Sequence, residues 1–329
     1  MSADGRQRPV GRYAPSPTGW LHLGTARTAI VAWAAARSAG GRFVLRVEDL
    51  DPPRVLPGAE AAMLEDLRWL GLDWDEGPDV GGAHGPYRQS ERAQRYEEAL
   101  AYLAERDLVY PCWCSRKDLR RARDASSVGE SSAPHGPADD GPRYPGTCAH
   151  LDEAARDARR SETGRAPALR FRSPGGPIAI EDRVRGAFVQ DVAREVGDFV
   201  VRRADGLFAY QLAVVVDDAL MEVTEVVRGD DLLASAPRQV ALFRALGFDP
   251  PSFGHVPLVT GAEGERLAKR RGARPIREMR ASGTSATKIV GAIAASLGWA
   301  EAHEELGAHE VVSRFDWSSV ARARGEVAL

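Results

Sequence analysis

Two strand-like runs separated by one helix-length segment open the chain, and this spacing restricts the fold more than any other feature. "VGRY" (residues 10–13) reads as a short strand. A turn crowded with Pro and Gly follows. Residues 24–38 are then Ala-rich, with Ile30, Val31 and Ala34 at helical spacing, and Gly40 and Gly41 end the helix. "RFVLRVED" (residues 42–49) carries the aromatic and β-branched residues of a strand, "DPPR" breaks it, and residues 60–70 form an amphipathic helix. Strand, helix, strand, helix is the rhythm of a parallel sheet with helical crossovers, an α/β fold of the Rossmann-like, doubly wound kind.

The rest of the chain sorts by composition. Residues 91–106 read as a helix leading into "YPCWCSRK". Residues 120–143 are rich in Ser, Ala, Gly, Asp and Pro without an apolar period, which predicts a flexible insertion. "ALRFRS" and "FVQDV" read as strands of a small inserted subdomain, and "LAVVVDD" as a strand covered on both faces. Residues 237–246 form a helix, and the text from residue 274 onward is mainly helical. The expected organisation is a catalytic first half (1–106), an inserted subdomain (107–195), a catalytic second half (196–272) and a helical C-terminal segment (273–329).

The 329 residues are 43% hydrophobic, ample for a packed core. No apolar run reaches the roughly 18 residues of a membrane span and no signal-peptide h-region opens the chain, so a cytoplasmic protein is expected. The net charge of −3, from 44 basic and 47 acidic residues, gives no global argument for nucleic acid. Nearly all of the basic residues are arginine, which suits local forks for phosphate or carboxylate. Cys112, Cys114 and Cys148 are odd in number, and two are one residue apart, which favours a metal site over a disulfide framework. Residue chemistry nominates these thiols with His150 or His135 as the fourth ligand.

The opening turn carries chemistry of its own. In a doubly wound sheet, ligands sit at the C-terminal ends of strands against helix N-termini, whose free N–H groups favour phosphate. In "HLGT", His22 and Thr25 share one face of the first helical turn, and Gly24 lets a planar base or ribose approach the backbone. An isolated His-x-Gly-x is also an ordinary helix cap, so the pattern gains meaning only with company.

"GRYAPSPTGWLHLGTAR" followed by "RVEDLDPPR", "LFAYQLAVVVDD", "EVVRGDDLL" and "ERLAKRRG", in that order, resembles the class I aminoacyl-tRNA synthetases and within them the glutamyl subfamily. HLGT stands where that class has its HIGH signature, and "ERLAKRRG" where it has the KMSKS-type loop. Lys269 is retained there, while Arg266, Ala268 and Arg270 depart from the pattern. About 60 residues follow this loop, short for an anticodon-binding domain, so the resemblance extends to the truncated branch of the subfamily.

The resemblance implies ATP-dependent activation of glutamate and its transfer to queuosine in the anticodon loop of tRNA(Asp), by a monomer. It places the two glutamate carboxylates on Arg12 and Arg228, the ammonium on Glu48 and a hydroxyl partner at Tyr210, with Tyr13, Ala14, Pro15 and Ser16 lining the same loop. His22, Thr25 and Lys269 would serve catalysis, with His22, Gly24 and Lys269 at ATP and Mg²⁺ entering with the nucleotide. Asp217 and Asp218 follow the "AVVV" run, and strand-end logic puts them near the site. The family's structural Zn²⁺ site of Cys-x-Cys and Tyr-x3-Cys falls on Cys112, Cys114, Tyr144 and Cys148. The competing expectations are a short enzyme charging the 3′ end of tRNA(Glu), an RNA-independent HxGx nucleotidyltransferase, and a non-catalytic relic.

Overall fold

The computed structural model describes residues 8–125, 143–259, 274–323 and 325–327. Lys269, with the whole KMSKS-like loop, and His135 lie outside these residues. Among the described residues the strands are β1 (Val10–Tyr13), β2 (Arg42–Leu45), β3 (Val109–Cys112), β4 (Ala168–Phe171), β5 (Ile178–Asp182), β6 (Gly186–Gln190), β7 (Phe199–Arg202), β8 (Glu225–Gly229) and β9 (Ser252–Val256). The helices are α1 (Leu23–Ser38), α2 (Ala59–Trp69), α3 (Ala93–Ala104), α4 (Arg116–Ala125), α5 (Glu153–Thr163), α6 (Val192–Glu195), α7 (Tyr210–Leu220), α8 (Ala236–Ala245), α9 (Ile276–Ala281), α10 (Ala286–Ser296), α11 (Ala308–Arg314) and α12 (Trp317–Ala321).

One sheet runs β2-β1-β8-β9-β5-β6, parallel except for β6, which pairs antiparallel to β5. The chain moves outward from β1 to β2 and later returns on the other side of β1 as β8. That reversal is the crevice where α/β sheets bind ligands, between the C-terminal ends of β1 and β8. A second sheet, β3-β4-β7, is antiparallel.

α1 is buried on nearly every face from Ala26 to Ala36, because small side chains let it lie close to β1, β8 and α11. It ends where Gly40 adopts φ 64° and Gly41 meets Pro9, so tightly that a Cβ on Gly41 would fall 2.3 Å from the Pro9 carbonyl oxygen. One core groups α1, α2, α10 and α11 with β2, and a second groups α3, α7 and α8 with β5, β7 and β9. Among the described residues no helix is long and apolar enough to cross a membrane.

Four readings of the sequence are corrected here. "LAVVVDD" is not a strand but the body of α7, where every residue from Gln211 to Asp218 is buried. A run that is apolar all round carries no periodicity to separate helix from strand, and packing between β7 and α8 overrides the strand preference of its valines. "FVQDV" does not belong to the inserted subdomain. Its β6 completes a hairpin with β5 at the edge of the six-stranded sheet. β2 ends at Leu45 rather than Asp49, since the chain beyond it exchanges hydrogen bonds with residues 13, 15 and 87. The segment from residue 120 begins as helix, because α4 continues to Ala125; residues 126–142 lie outside the described residues.

Candidate functional site

β1 delivers Arg12 to the crevice, where the side chain is buried. Its Nη1 donates to the Val227 carbonyl on β8 (2.9 Å), and its Nε faces Asp218 Oδ1 on α7 at 3.4 Å. Past Tyr13 the chain is held open beside the residues that follow β2. Arg46 N–H donates to the Tyr13 carbonyl and Glu48 N–H to the Pro15 carbonyl, each at 3.0 Å. This pairing sets the Glu48 carboxylate beside the Ala14–Ser16 loop. Arg228 enters from β8 and Tyr210 from the first turn of α7. A cleft of about 840 Å³ is lined by Arg12, Tyr13, Ala14, Ser16, Glu48, Tyr210 and Arg228 among others. The tertiary structure therefore brings together seven of the eight residues expected to bind the amino acid, with Pro15 contributing its carbonyl to the loop. The Tyr13 hydroxyl turns away, donating to the Thr25 carbonyl at 3.3 Å.

A buried charge cluster supports this cleft. Arg46, fully buried, donates to Asp218 Oδ1 (2.7 Å) and to Glu48 Oε1 (3.2 Å), and its Nε lies 3.6 Å from Asp217. Asp217 also accepts from Arg92 Nε (2.5 Å), Gln89 (2.8 Å) and the Tyr96 hydroxyl (2.9 Å). Burial acts to raise the Asp218 carboxyl, but Arg46 and Arg12 outweigh it and hold the group below its ordinary value. Burial raises Glu48 despite Arg46 and Arg12, and it also raises Tyr210 and lowers Arg228. Glu48 is thus an incompletely satisfied carboxylate at a cleft wall, suited to an ammonium group.

His22 is the N-cap of α1. Its Nδ1 accepts from Gly24 N–H (3.2 Å) and Thr25 N–H (3.4 Å), while Thr25 Oγ1 accepts from His22 N–H at 3.1 Å. With Nδ1 accepting, the proton of the neutral ring sits on Nε2, free to donate outward. Burial lowers the imidazole pKa and keeps the neutral form. A Cβ on Gly24 would lie 3.2 Å from His22 Cε1, so a side chain here would press on the capping imidazole. His22, Gly24 and Thr25 do not line the amino-acid cleft; Thr28, one turn along α1, does. Thr25 uses its hydroxyl within the cap. The residues flanking 260–273 both abut this turn. Val259 approaches Gly24, and Ile276 N–H donates to the Leu21 carbonyl at 2.8 Å.

In the second sheet, the Sγ atoms of Cys112, Cys114 and Cys148 lie within 4.8 Å of one another, with Cys114 and Cys148 3.7 Å apart. The Tyr144 hydroxyl accepts from Cys148 N–H (2.8 Å) and lies 3.4 Å from Cys112 Sγ. Tetrahedral zinc with bonds of about 2.3 Å to sulfur separates sulfurs by about 3.8 Å, so the donor set fits that metal. Arg170 approaches Cys112 Sγ at 3.3 Å and stacks over the Tyr144 ring at 3.8 Å. Hydrogen bonds from Cys114 and Cys148 foremost, with Arg170 behind them, pull the Cys112 thiol far below its ordinary range. His150 is exposed and outside this cluster.

A family model described as the catalytic domain of class I tRNA synthetases (E and Q) matches residues 10–326. The chain belongs to this family of synthetases. It is 51% identical over 314 residues to a Glutamyl-Q tRNA(Asp) synthetase of Symbiobacterium thermophilum, covering 95% of this chain and 94% of the relative. A protein of the same name from Nitratidesulfovibrio vulgaris is 51% identical, covering 88% of this chain and 86% of the relative. Glutamate--tRNA ligase 2 of Acidithiobacillus ferrooxidans is 50% identical, covering 84% of this chain but 56% of that protein. Among solved structures, the glutamate tRNA ligase of Elizabethkingia meningosepticum in complex with its amino acid superposes with a TM-score of 0.79 at 28% identity, over 98% of this chain and 67% of that one. The synthetase is therefore an ATP-dependent ligase of α/β fold, as the motif order implied.

Three groups shape the synthetase's cleft beyond the expected site residues, and the sequence showed them unequally. Arg46 was legible, since it lies two residues before Glu48 in an extended segment and so projects to the same side. Asp217 and Asp218 were noticed, but they act from a helix rather than a strand end. His255 and Asp182, which support Arg228, sit in no motif at all.

Proposed function

We propose that this synthetase joins glutamate to AMP, releasing pyrophosphate, and transfers the glutamyl group to queuosine in the anticodon loop of tRNA(Asp), releasing AMP. The observation that carries the reading is the 51% identity spanning 95% of this chain and 94% of a relative named for that reaction. The cleft is consistent with the substrate. Arg12 and Arg228 take the two carboxylates through guanidinium forks, Glu48 takes the ammonium, and Tyr210 donates or accepts a hydrogen bond beside Arg228.

In the first step an oxygen of the glutamate α-carboxylate attacks the α-phosphorus in line, and the bond to the leaving pyrophosphate breaks. The chain's contribution is position and field. His22 Nε2–H is aimed outward by the two backbone donors on Nδ1, and it donates to the α-phosphoryl oxygens as their charge grows. Lys269 meets the phosphates as a point charge, Gly24 keeps the cap compact, and Mg²⁺ enters with ATP. Zinc would be held by Cys112, Cys114, Cys148 and Tyr144, where it would serve as a structural ion tying β3 to the 144–148 turn. The enzyme acts as a cytoplasmic monomer on a free tRNA.

Labelled glutamate with ATP, offered to tRNA(Asp) with queuosine, tRNA(Asp) without it and tRNA(Glu), tests the reading. Label on the first RNA alone is expected. Label on tRNA(Glu) would establish the 3′-end alternative instead, and absence of glutamate-dependent ATP–pyrophosphate exchange would leave a non-catalytic protein.

A further inference from the structure

Arg228 differs from Arg12, Arg46 and Arg92 in the company it keeps. Arg12 faces Asp218, Arg46 binds Asp218 and Glu48, and Arg92 binds Asp217. Among the described residues Arg228 forms no ion pair. Its Nε donates to His255 Nε2 (3.0 Å), its Nη1 to Gln239 Oε1 (2.7 Å), and its Nη2 to the Leu232 carbonyl (3.3 Å), all three of them neutral acceptors. The three paired arginines balance Glu48, Asp217 and Asp218. Arg228 adds a positive charge that none of these three carboxylates pairs.

Sheet register builds the support behind it. Arg228 on β8 stands directly opposite His255 on β9, and β5 brings Asp182 in from the next strand. His255 Nδ1 lies 2.5 Å from Asp182 Oδ2, and both side chains are fully buried. Asp182 Oδ1 accepts three backbone N–H groups, from Val184 (2.9 Å), Arg185 (2.8 Å) and His255 (3.1 Å). An acceptor at Asp182 Oδ2 requires the His255 proton on Nδ1, which leaves Nε2 bare to accept from Arg228.

We infer that the Asp182–His255 pair is a positioning device for substrate recognition: it fixes the one imidazole tautomer that can hold Arg228 by a neutral acceptor, so that the arginine is aimed yet its charge stays available to a glutamate carboxylate. A carboxylate in the place of His255 would hold Arg228 equally well but cancel the charge that distinguishes a carboxylate from an amide. This rests on the assignment of Arg228 to glutamate under the proposed function.

Asp182→Asn is the decisive variant. The three backbone donors on Oδ1 keep the Asn oxygen on that side, so its –NH₂ group must face His255 Nδ1. The imidazole proton then moves to Nε2 and opposes Arg228 Nε–H, the wrong-tautomer effect known from Asp→Asn changes in catalytic triads. The expected result is a rise in KM for glutamate of about 10- to 100-fold in ATP–pyrophosphate exchange, the worth of one hydrogen bond to a charged group, with KM for ATP unchanged. His255→Gln, which keeps an acceptor for Arg228, should stay within about threefold of wild type, and His255→Leu should behave like Asp182→Asn. Nitrogen NMR of labelled histidine reads the tautomer directly: Nε2 bare in the wild type, protonated in Asp182→Asn.

A protonated Nε2 in the wild type overturns the inference, as does a parallel rise of both KM values in Asp182→Asn or a His255→Gln as impaired as His255→Leu. Should Asp182→Asn fail to fold, the wild-type tautomer and the His255→Gln kinetics decide. A wild type with the stated tautomer but no glutamate-dependent exchange counts against the proposed function and leaves the pair's geometry standing.

Discussion

Replacing Arg46 with Met should be among the most damaging single changes in this protein. The guanidinium is fully buried and meets Asp218 at 2.7 Å, Glu48 at 3.2 Å and Asp217 at 3.6 Å. Asp217 keeps Arg92, Gln89 and Tyr96, and Asp218 keeps Arg12. Glu48, whose side chain is 9% exposed, loses its ion-pair partner. Breaking a buried pair by removing one partner costs about 3–5 kcal/mol, a large share of the roughly 5–15 kcal/mol by which proteins are stable. Urea unfolding at pH 8 should show a loss of that size. The sign of the pH effect follows from Glu48, whose folded pKa burial already raises and which rises further without Arg46. A raised carboxyl takes up a proton in the folded state first, so the deficit should shrink as pH falls from 8 towards 5. Glu48→Gln added to Arg46→Met should recover part of the loss, because it removes the stranded charge. A deficit below about 1 kcal/mol, or one indifferent to pH, would refute the assignment of Arg46 as the hub of this cluster.

Three further outcomes follow from the geometry. His22→Asn keeps a capping acceptor for α1 but its amide N–H stops short of the position of Nε2, so the melting temperature should hold while adenylate formation, read by pyrophosphate exchange, drops by about 10²–10³. Cys148→Ala should lower bound zinc, measured by atomic emission on protein purified without chelator; equal metal in variant and wild type would remove Cys148 from the site. The third concerns pH: burial first, with Arg228 and Arg12 adding, depresses His255 to about 4 against the partial opposition of Asp182. The unfolded chain gains that proton near pH 6.5 and the folded chain does not, so stability should fall by on the order of 3 kcal/mol between pH 6.5 and 4. Urea midpoints of wild type and His255→Gln across that window check it, the variant showing a shallower slope.

Local sequence determined whatever depends on residues close along the chain. The β1–α1–β2 unit was legible in its periodicity, and the capping of Gly24 and Thr25 by His22 and the proximity of Cys112 to Cys114 were legible because three or four residues settle each geometry. The resemblance carried by the ordered motifs implied that Arg12, Glu48, Tyr210 and Arg228 share a site, and the fold brings all four to one cleft. Tertiary structure alone decided α7. Its apolar run suits a strand or a helix equally, and the choice lies with Arg46, Arg92 and Tyr96, which reach Asp217 and Asp218 from distant elements. It alone decided that Arg228 is held by neutral acceptors. Arg228 meets His255 across 27 residues of sequence and His255 meets Asp182 across 73, through the register of adjacent parallel strands. Such lateral contacts have no period and no spacing to read, and a one-residue slip would turn each side chain to the opposite face. Sequence named the groups expected to touch the substrate; the sheet chose the groups that hold them in place.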